Sequence, residues 1–313
     1  MAFCSIGGQQ VRYTLRGAAD LPLVAFANGL TQNADLWTAY GEKLAQRGYR
    51  VLAYDMLGQG QSAKPVLGIE LAEHAAILAR LLDHIEAGRT HLAGISFGGV
   101  IALDFALRHP GRVSSLVVMS SFAELTPQLE HLGQALYQGL TEVGLPYLQT
   151  LLYPMNMSSA WLAANRERIP AMKRAGYIGN DLYALQNLME SFVHFQPLTP
   201  RLKEIRCPVL VVNGEHDFFT PRACHELMRR HLPNCRLLII QHAYHAFTLE
   251  MPDITLRQLD EFLRAVDGRT WVGDGTVWIA ADAADAEPHA FPCPGDHMRA
   301  IPLPAAKSKA KVA

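Results

Sequence analysis

Short, apolar, β-branched runs recur along the chain at residues 10–15, 23–27, 50–54, 91–94, 114–120, 209–213 and 236–240. Each reads as a strand buried on both faces. Segments with helical spacing separate them, at 36–47, 71–85, 97–108, 221–231 and 253–266. Strand alternating with helix predicts an α/β fold: a mostly parallel sheet with helices on both sides.

From 124 to 200 the rhythm changes. No strand-like run occurs, and Leu, Met, Tyr and Gln fall at helical spacing. A core helix pair is one reading, but the segment interrupts a regular sheet on the side where α/β sheets bind ligands, which favours a lid. The expected organisation is a core over 1–123 and 201–267, a helical cap over 124–200, and a tail from 268 to 313. That tail is rich in Ala, Asp, Pro and Gly and ends in AKSKAKVA, a composition without a core of its own. It reads as a disordered extension or as an arm packed through Trp271, Val277, Trp278 and Ile279.

Composition removes several function classes. Half of the 313 residues are hydrophobic and only 18% are charged, below the usual quarter, which suits a well-buried globular chain. Lys and Arg number 28 against 29 Asp and Glu, so a net charge of -1 gives no field to draw nucleic acid or anionic lipid. No signal peptide is legible at the N-terminus, and no apolar run approaches the roughly 20 residues of a membrane span. A cytoplasmic protein with no stable membrane insertion is expected. Cys4, Cys207, Cys224, Cys235 and Cys293 are odd in number and scattered, which reads as reduced thiols. The 13 histidines include no H-E-x-x-H, and His242 and His245 lack a paired carboxylate motif, so neither metal nor cofactor is expected.

The strongest local signal is Gly94-Ile95-Ser96-Phe97-Gly98-Gly99, lying directly between a strand and a helix. A serine on this sharp turn is held in a strained conformation with its hydroxyl exposed, and the flanking Gly94 and Gly98 remove side chains that would clash. Ser96 could simply cap the following helix, but strand, helix and both glycines together favour a nucleophile. A serine hydroxyl needs an imidazole base and a carboxylate to orient it, and in this architecture the chain order is Ser, acid, His. Asp217 follows the run at 209–213 and His245 follows the run at 236–240, so both reach the same sheet edge as Ser96. Competing residues are His242 and His216 for the base, and Glu215 and Glu124 for the acid. Asp217 leads because it is short and is followed by Phe218 and Phe219; His245 leads because Ala246 and Phe247 begin a helix that could lock its ring.

Acyl transfer also needs backbone N–H groups aimed at the developing oxyanion. Phe97, at the start of a helix, would give one. The loop Asn28-Gly29-Leu30 would give the other from Leu30, with Asn28 and Gly29 shaping the approach; an ordinary Asn-Gly turn is the plainer reading. Residues 55–62 (DMLGQGQS) read as a glycine-rich turn under the site. They are not a phosphate loop, since no Lys follows in G-K-S/T order.

With these pieces in order, residues 10 to 267 resemble the α/β-hydrolase fold superfamily. The elbow GISFGG, the D-x-x-G-x-G-x-S turn, the acid loop VNGEHDFFTP and the loop HAYHAF occur in that family's order. The resemblance implies the roles of Ser96, Asp217 and His245; the helical cap is placed after the sixth strand, and the Ser at the elbow argues against the members of this fold that place an Asp there. A narrower resemblance, to the synthases of the rhamnolipid precursor 3-(3-hydroxyacyloxy)alkanoate and the related 3-hydroxyacyl-ACP:CoA transacylases, rests on Asn28-Gly29, on 117–122 (VVMSSF) and on 297–301 (HMRAI). The chain departs from that group at Gly58-Gln59-Gly60 and at Phe97, where those relatives carry Trp. The implied substrate is a medium-chain 3-hydroxyacyl thioester on CoA or acyl carrier protein, condensed with a second one. Carboxylester or thioester hydrolysis is the alternative with the same triad, and a non-catalytic ligand-binding protein is the alternative from another class.

Overall fold

The computed structural model describes residues 1–281 and 296–300. Its strands are β1 (Ala2–Ile6), β2 (Gln9–Arg16), β3 (Leu23–Ala27), β4 (Arg50–Tyr54), β5 (Thr90–Ile95), β6 (Val113–Met119), β7 (Val209–Gly214), β8 (Cys235–Ile240), β9 (Asp274–Ala281) and β10 (Asp296–Ala300). They form one sheet in the order β1-β2-β4-β3-β5-β6-β7-β8-β9-β10. The β1–β2 and β2–β4 pairs are antiparallel and the others are parallel. Every residue of β3, β5 and β7 is buried, as strands covered on both faces require.

The helices are α1 (Thr38–Ala45), α2 (Leu71–His84), α3 (Phe97–Arg108), α4 (Pro127–Gln138), α5 (Leu145–Asn156), α6 (Ser159–Ala164), α7 (Ile169–Gly179), α8 (Leu182–Glu190), α9 (Arg222–His231), α10 (Phe247–Glu250) and α11 (Pro252–Asp267). One face of the sheet packs on Tyr40 and Leu44 of α1 and on Leu259 and Phe262 of α11. The other packs on Leu78 and Leu82 of α2, Ile101 and Phe105 of α3 and Met228 of α9. This is the α/β-hydrolase fold: a mostly parallel sheet between two helical layers.

Helices α4 to α8 lie between β6 and β7. Their starts are written locally: the side chains of Thr126, Ser158 and Asp181 accept hydrogen bonds from the backbone N–H groups of Leu129, Trp161 and Ala184. They share a small core of Leu140, Leu145, Leu148 and Leu185. None of the helices among the described residues is long and apolar enough to cross a membrane.

The region beyond 267 requires a correction. Over Asp274–Ala281 it is not a disordered extension; the packed arm takes the form of a strand, β9, which continues the parallel sheet and pairs Leu237 with Val277 and Ile240 with Ala280. Val277, Ile279, Ala280 and Ala281 are buried, and the Arg236 guanidinium lies 4.1 Å from the Trp278 ring centre and 5.1 Å from that of Trp271. Burying apolar side chains and completing β8's free edge give this short segment the core that its composition conceals. The resembling segment 297–301 enters β10 through Ala300; Ile301, Cys293 and the basic end lie outside the described residues. Cys4, Cys207, Cys224 and Cys235 form no disulfide.

Candidate active site

Strand β5 runs through Ile95 into Ser96, whose φ of 53° and ψ of -118° lie in a region that non-glycine residues avoid. Such strain persists only where neighbours over-determine it. The Ser96 N–H donates to Met119 O at 2.9 Å, and its carbonyl accepts from Ser121 Oγ at 2.8 Å and Gly99 N at 2.9 Å. The glycines have particular reasons. A Cβ on Gly98 would collide with the Ala27 and Asn28 carbonyls, and one on Gly94 with the Gly98 carbonyl. The turn closes only if both lack side chains.

Asp217 and His245 arrive from the loops after β7 and β8. His245 Nδ1 lies 2.9 and 3.0 Å from the two Asp217 carboxylate oxygens. The carboxylate is fully enclosed and also accepts from Thr220 N at 2.9 Å, Thr220 Oγ1 at 2.8 Å and Asn213 Nδ2 at 3.3 Å. Burial pushes the Asp217 carboxyl up, but the His245 charge and hydrogen bond and the Thr220 N–H outweigh it and hold the group below the ordinary carboxylate range. The Phe219 ring, 5.1 Å from that of His245, packs the imidazole in place. Of the competing residues, His242 and His216 gather around Glu215 instead, and Glu124 lies near Cys224.

The loop Asn28-Gly29-Leu30 is fixed by residues that the sequence does not single out. Asn28 is fully buried; its Nδ2 donates to Tyr54 O at 2.8 Å and to Gln59 Oε1 at 3.0 Å, and its Oδ1 accepts from Trp37 Nε1 at 2.8 Å. Gln59 Nε2 in turn donates to the Gly29 and Leu30 carbonyls at 2.8 and 3.2 Å. Both carbonyls are thereby turned toward Gln59. The glycine-rich turn at 55–62 thus contributes a specific clamp, and Gln59 is the middle residue of Gly58-Gln59-Gly60.

A second unforeseen residue is His225 on α9. It is fully buried, its Nε2 accepts from Ser121 N at 3.1 Å, and its Nδ1 faces Pro221 O at 3.2 Å. Accepting at Nε2 while facing a carbonyl at Nδ1 fixes the neutral Nδ1–H tautomer. His225 therefore joins the acid loop to Ser121, which holds the Ser96 carbonyl. His225→Gln, whose amide oxygen can still accept, is expected to keep kcat within about threefold, whereas His225→Leu lowers kcat roughly tenfold at unchanged KM. Steady-state kinetics on the folded variants check this.

Burial also drives the His225 imidazole down to about 4, as it does His74 on α2. The unfolded chain therefore takes up these protons first, near pH 6.5, while the folded chain resists them until about pH 4. Their contribution to stability is complete above the unfolded value and is lost as pH falls through that window. The melting temperature is expected to drop from pH 6.5 to 4, and less steeply in His225→Gln; thermal melts across that range test it.

Ser96, His245, Phe97 and Leu30 all face one cavity of about 800 Å³. The cap supplies its far wall, with Leu136 of α4, Leu152 of α5, Met172 of α7 and Met189 of α8 among the lining side chains. An aromatic stack ties cap to elbow: the Phe192 ring centre lies 5.7 Å from that of Phe97 and 5.6 Å from that of Phe122. Glu130 and Glu190 line the cavity too, whereas no Lys or Arg does among the described residues. Glu190 is held ionised by hydrogen bonds from Tyr137 and Gln186, which depress its pKa.

Elbow, paired imidazole and carboxylate, and capped cavity define a class that the comparisons make explicit. The model of the alpha/beta hydrolase fold family matches residues 22–252, and the chain belongs to that family. It is 30% identical over 270 residues to a 2-hydroxy-6-oxononadienedioate/2-hydroxy-6-oxononatrienedioate hydrolase of Burkholderia vietnamiensis (strain G4), covering 82% of this chain and 91% of that one. It is 29% identical over 244 residues to a protein of Caulobacter sp. (strain K31) named "Putative carbamate hydrolase RutD", covering 75% of this chain and 88% of that one. Among solved structures, a hydrolase from Pseudomonas aeruginosa PA01 matches with a TM-score of 0.73 and 28% identity over 84% of this chain and 97% of that one. An enol-lactonase from Burkholderia xenovorans LB400 shares the fold, with a TM-score of 0.77 at 21% identity, over 84% of this chain and 99% of that one. The protein is an enzyme of the α/β-hydrolase fold.

Proposed function

We propose that the protein moves a neutral, aliphatic acyl chain from an ester or thioester through an acyl-Ser96 intermediate. One observation carries the reading: the cavity that meets Ser96 and His245 takes fourteen of its 33 lining residues from Leu, Met and Phe, against two charged ones, and has the volume of a pocket that engulfs its ligand. A dioate of the kind named for the Burkholderia relative would bring carboxylates into a space lined by Glu130 and Glu190, with no Lys or Arg there among the described residues. A small carbamate would leave most of it unfilled.

In this reading His245 Nε2 takes the Ser96 hydroxyl proton as Oγ attacks the carbonyl carbon. Asp217 holds the Nδ1–H tautomer and stabilises the imidazolium. The backbone N–H groups of Phe97 and Leu30 receive the oxyanion, and the imidazolium returns the proton to the departing alcohol or thiol. A second acceptor then releases the acyl group by the same steps in reverse. Water as acceptor gives an esterase or thioesterase. The 3-hydroxyl of a second 3-hydroxyacyl thioester, on CoA or acyl carrier protein, gives the 3-(3-hydroxyacyloxy)acyl thioester, and water cleaving that remaining thioester releases 3-(3-hydroxyacyloxy)alkanoate and the free thiol.

Transfer is the reading favoured by Asn28-Gly29, by VVMSSF at 117–122 and by HMRAI at 297–301. Mass spectrometry of products from purified enzyme and 3-hydroxydecanoyl-CoA, or the same acyl group on carrier protein, is expected to find the ester-linked dimer. Free 3-hydroxy acid as sole product leaves hydrolysis and overturns transfer. No turnover of either thioester, alongside cleavage of simple aliphatic esters, overturns the thioester donor alone.

A further inference from the structure

We propose that Glu215, His216 and His242 form a binding site for a divalent transition-metal ion of the zinc class, separate from the Ser96 chemistry. The three come from the loops after β7 and β8, so no local sequence spacing announces them. Their potential ligand atoms all lie within 4.8 Å of one another. His216 Nε2 is 3.6 Å and His242 Nδ1 is 3.8 Å from Glu215 Oε2. A tetrahedral zinc ion with ligands at 2.0–2.1 Å separates them by about 3.4 Å, so modest rotation of the two rings completes the geometry.

Burial is graded as an open metal site needs. The Glu215 side chain is 2% exposed, whereas His216 and His242 are 40% and 39% exposed. A carboxylate enclosed this far is anchored, not solvated. Its Oε2 accepts the His242 backbone N–H at 2.7 Å, which fixes the turn presenting the second imidazole. His242 itself sits at φ 61°, a left-handed conformation that needs such support. The ring centres of His216 and His242 are 6.4 Å apart and tilted by 33°, and the exposure of both rings leaves the cluster open to solvent on their side. A buried carboxylate with two imidazoles and an open side is a ligand set that Zn²⁺ and Co²⁺ accept.

Bound metal would tie the acid loop to the histidine loop, the segments bearing Asp217 and His245, without using either residue. Protein carrying no affinity tag is titrated with Co²⁺. The expected result is visible d–d absorption that saturates at one ion per chain, disappears on adding Zn²⁺ and is reversed by a chelator. His216→Ala and His242→Ala should each weaken Co²⁺ binding roughly tenfold or more. His231→Ala, which removes an exposed histidine of α9, should leave it unchanged. Glu215→Gln keeps an acceptor for the His242 N–H but loses the charge, and should also weaken binding. Zn²⁺ should raise the melting temperature of the native chain and not of the His216→Ala/His242→Ala double variant. Binding undiminished in that double variant, or no absorption change at stoichiometric Co²⁺, overturns the site; if Glu215→Gln does not fold, the histidine variants still decide.

Discussion

Ser96→Ala is expected to lower kcat by roughly four to six orders of magnitude, the loss seen when other triads lose their nucleophile. The size follows from the geometry. The elbow exists to hold one hydroxyl in a strained, exposed position against the cavity wall, and alanine occupies the same backbone without it. Elbow hydrogen bonds to Met119, Gly99 and Ser121 are backbone-mediated on the Ser96 side, so the variant should fold and melt as the native chain does. Turnover of a p-nitrophenyl ester, with intact-mass detection of the acyl-enzyme in native protein only, is the measurement. Turnover unchanged in Ser96→Ala would remove the enzymatic assignment from this site.

Asp217→Asn should lower kcat roughly ten-thousandfold, because an amide can donate to Nδ1 and select the wrong imidazole tautomer. The variant also turns one carboxylate oxygen into an NH₂; since Thr220 N donates to Oδ1 and Thr220 Oγ1 and Asn213 Nδ2 donate to Oδ2, either placement takes the acceptor from at least one buried donor, at a cost of about 1–3 kcal/mol. A pH signature accompanies it. The folded Asp217 carboxyl titrates below its unfolded value, so its stabilisation is present above about pH 4 and is lost as pH falls through the lower, folded value. Native protein should lose that increment on acidification, and Asp217→Asn, already without it, should not. Acid-limb stability curves and kcat for the pair test both claims.

The central strands were legible because strands covered on both faces must be apolar at every position, as LVAFA and VLVV are. Strands at or next to the ends of the sheet carry no such signature. β1 (AFCSI) alternates between buried and exposed, and β9 sits among Ala, Asp and Gly with only Val277, Trp278 and Ile279 to mark it. The candidate triad was legible because each member follows a readable strand. Gln59, Trp37 and His225 were not, because they act through contacts spanning 31, 9 and 104 positions, and a lone glutamine between two glycines gives no hint of the carbonyls it holds. The candidate metal-ligand set was hidden for the same reason: the adjacent Glu215 and His216 meet a second imidazole, His242, that another loop supplies.

Phe97 faces two ways. Its backbone begins the helix after the nucleophile, while its ring is the seat on which Phe192 of the cap segment rests. Any side chain that pushes Phe192 aside therefore presses on the residue next to the reacting oxygen, and the load is carried by a packed aromatic contact rather than by a flexible tether. Under the proposed function, widening the cavity at Phe192 would retune catalysis along with capacity, whereas changes at Met172, on the far wall, would alter the chain length admitted while leaving the footing of Ser96 alone.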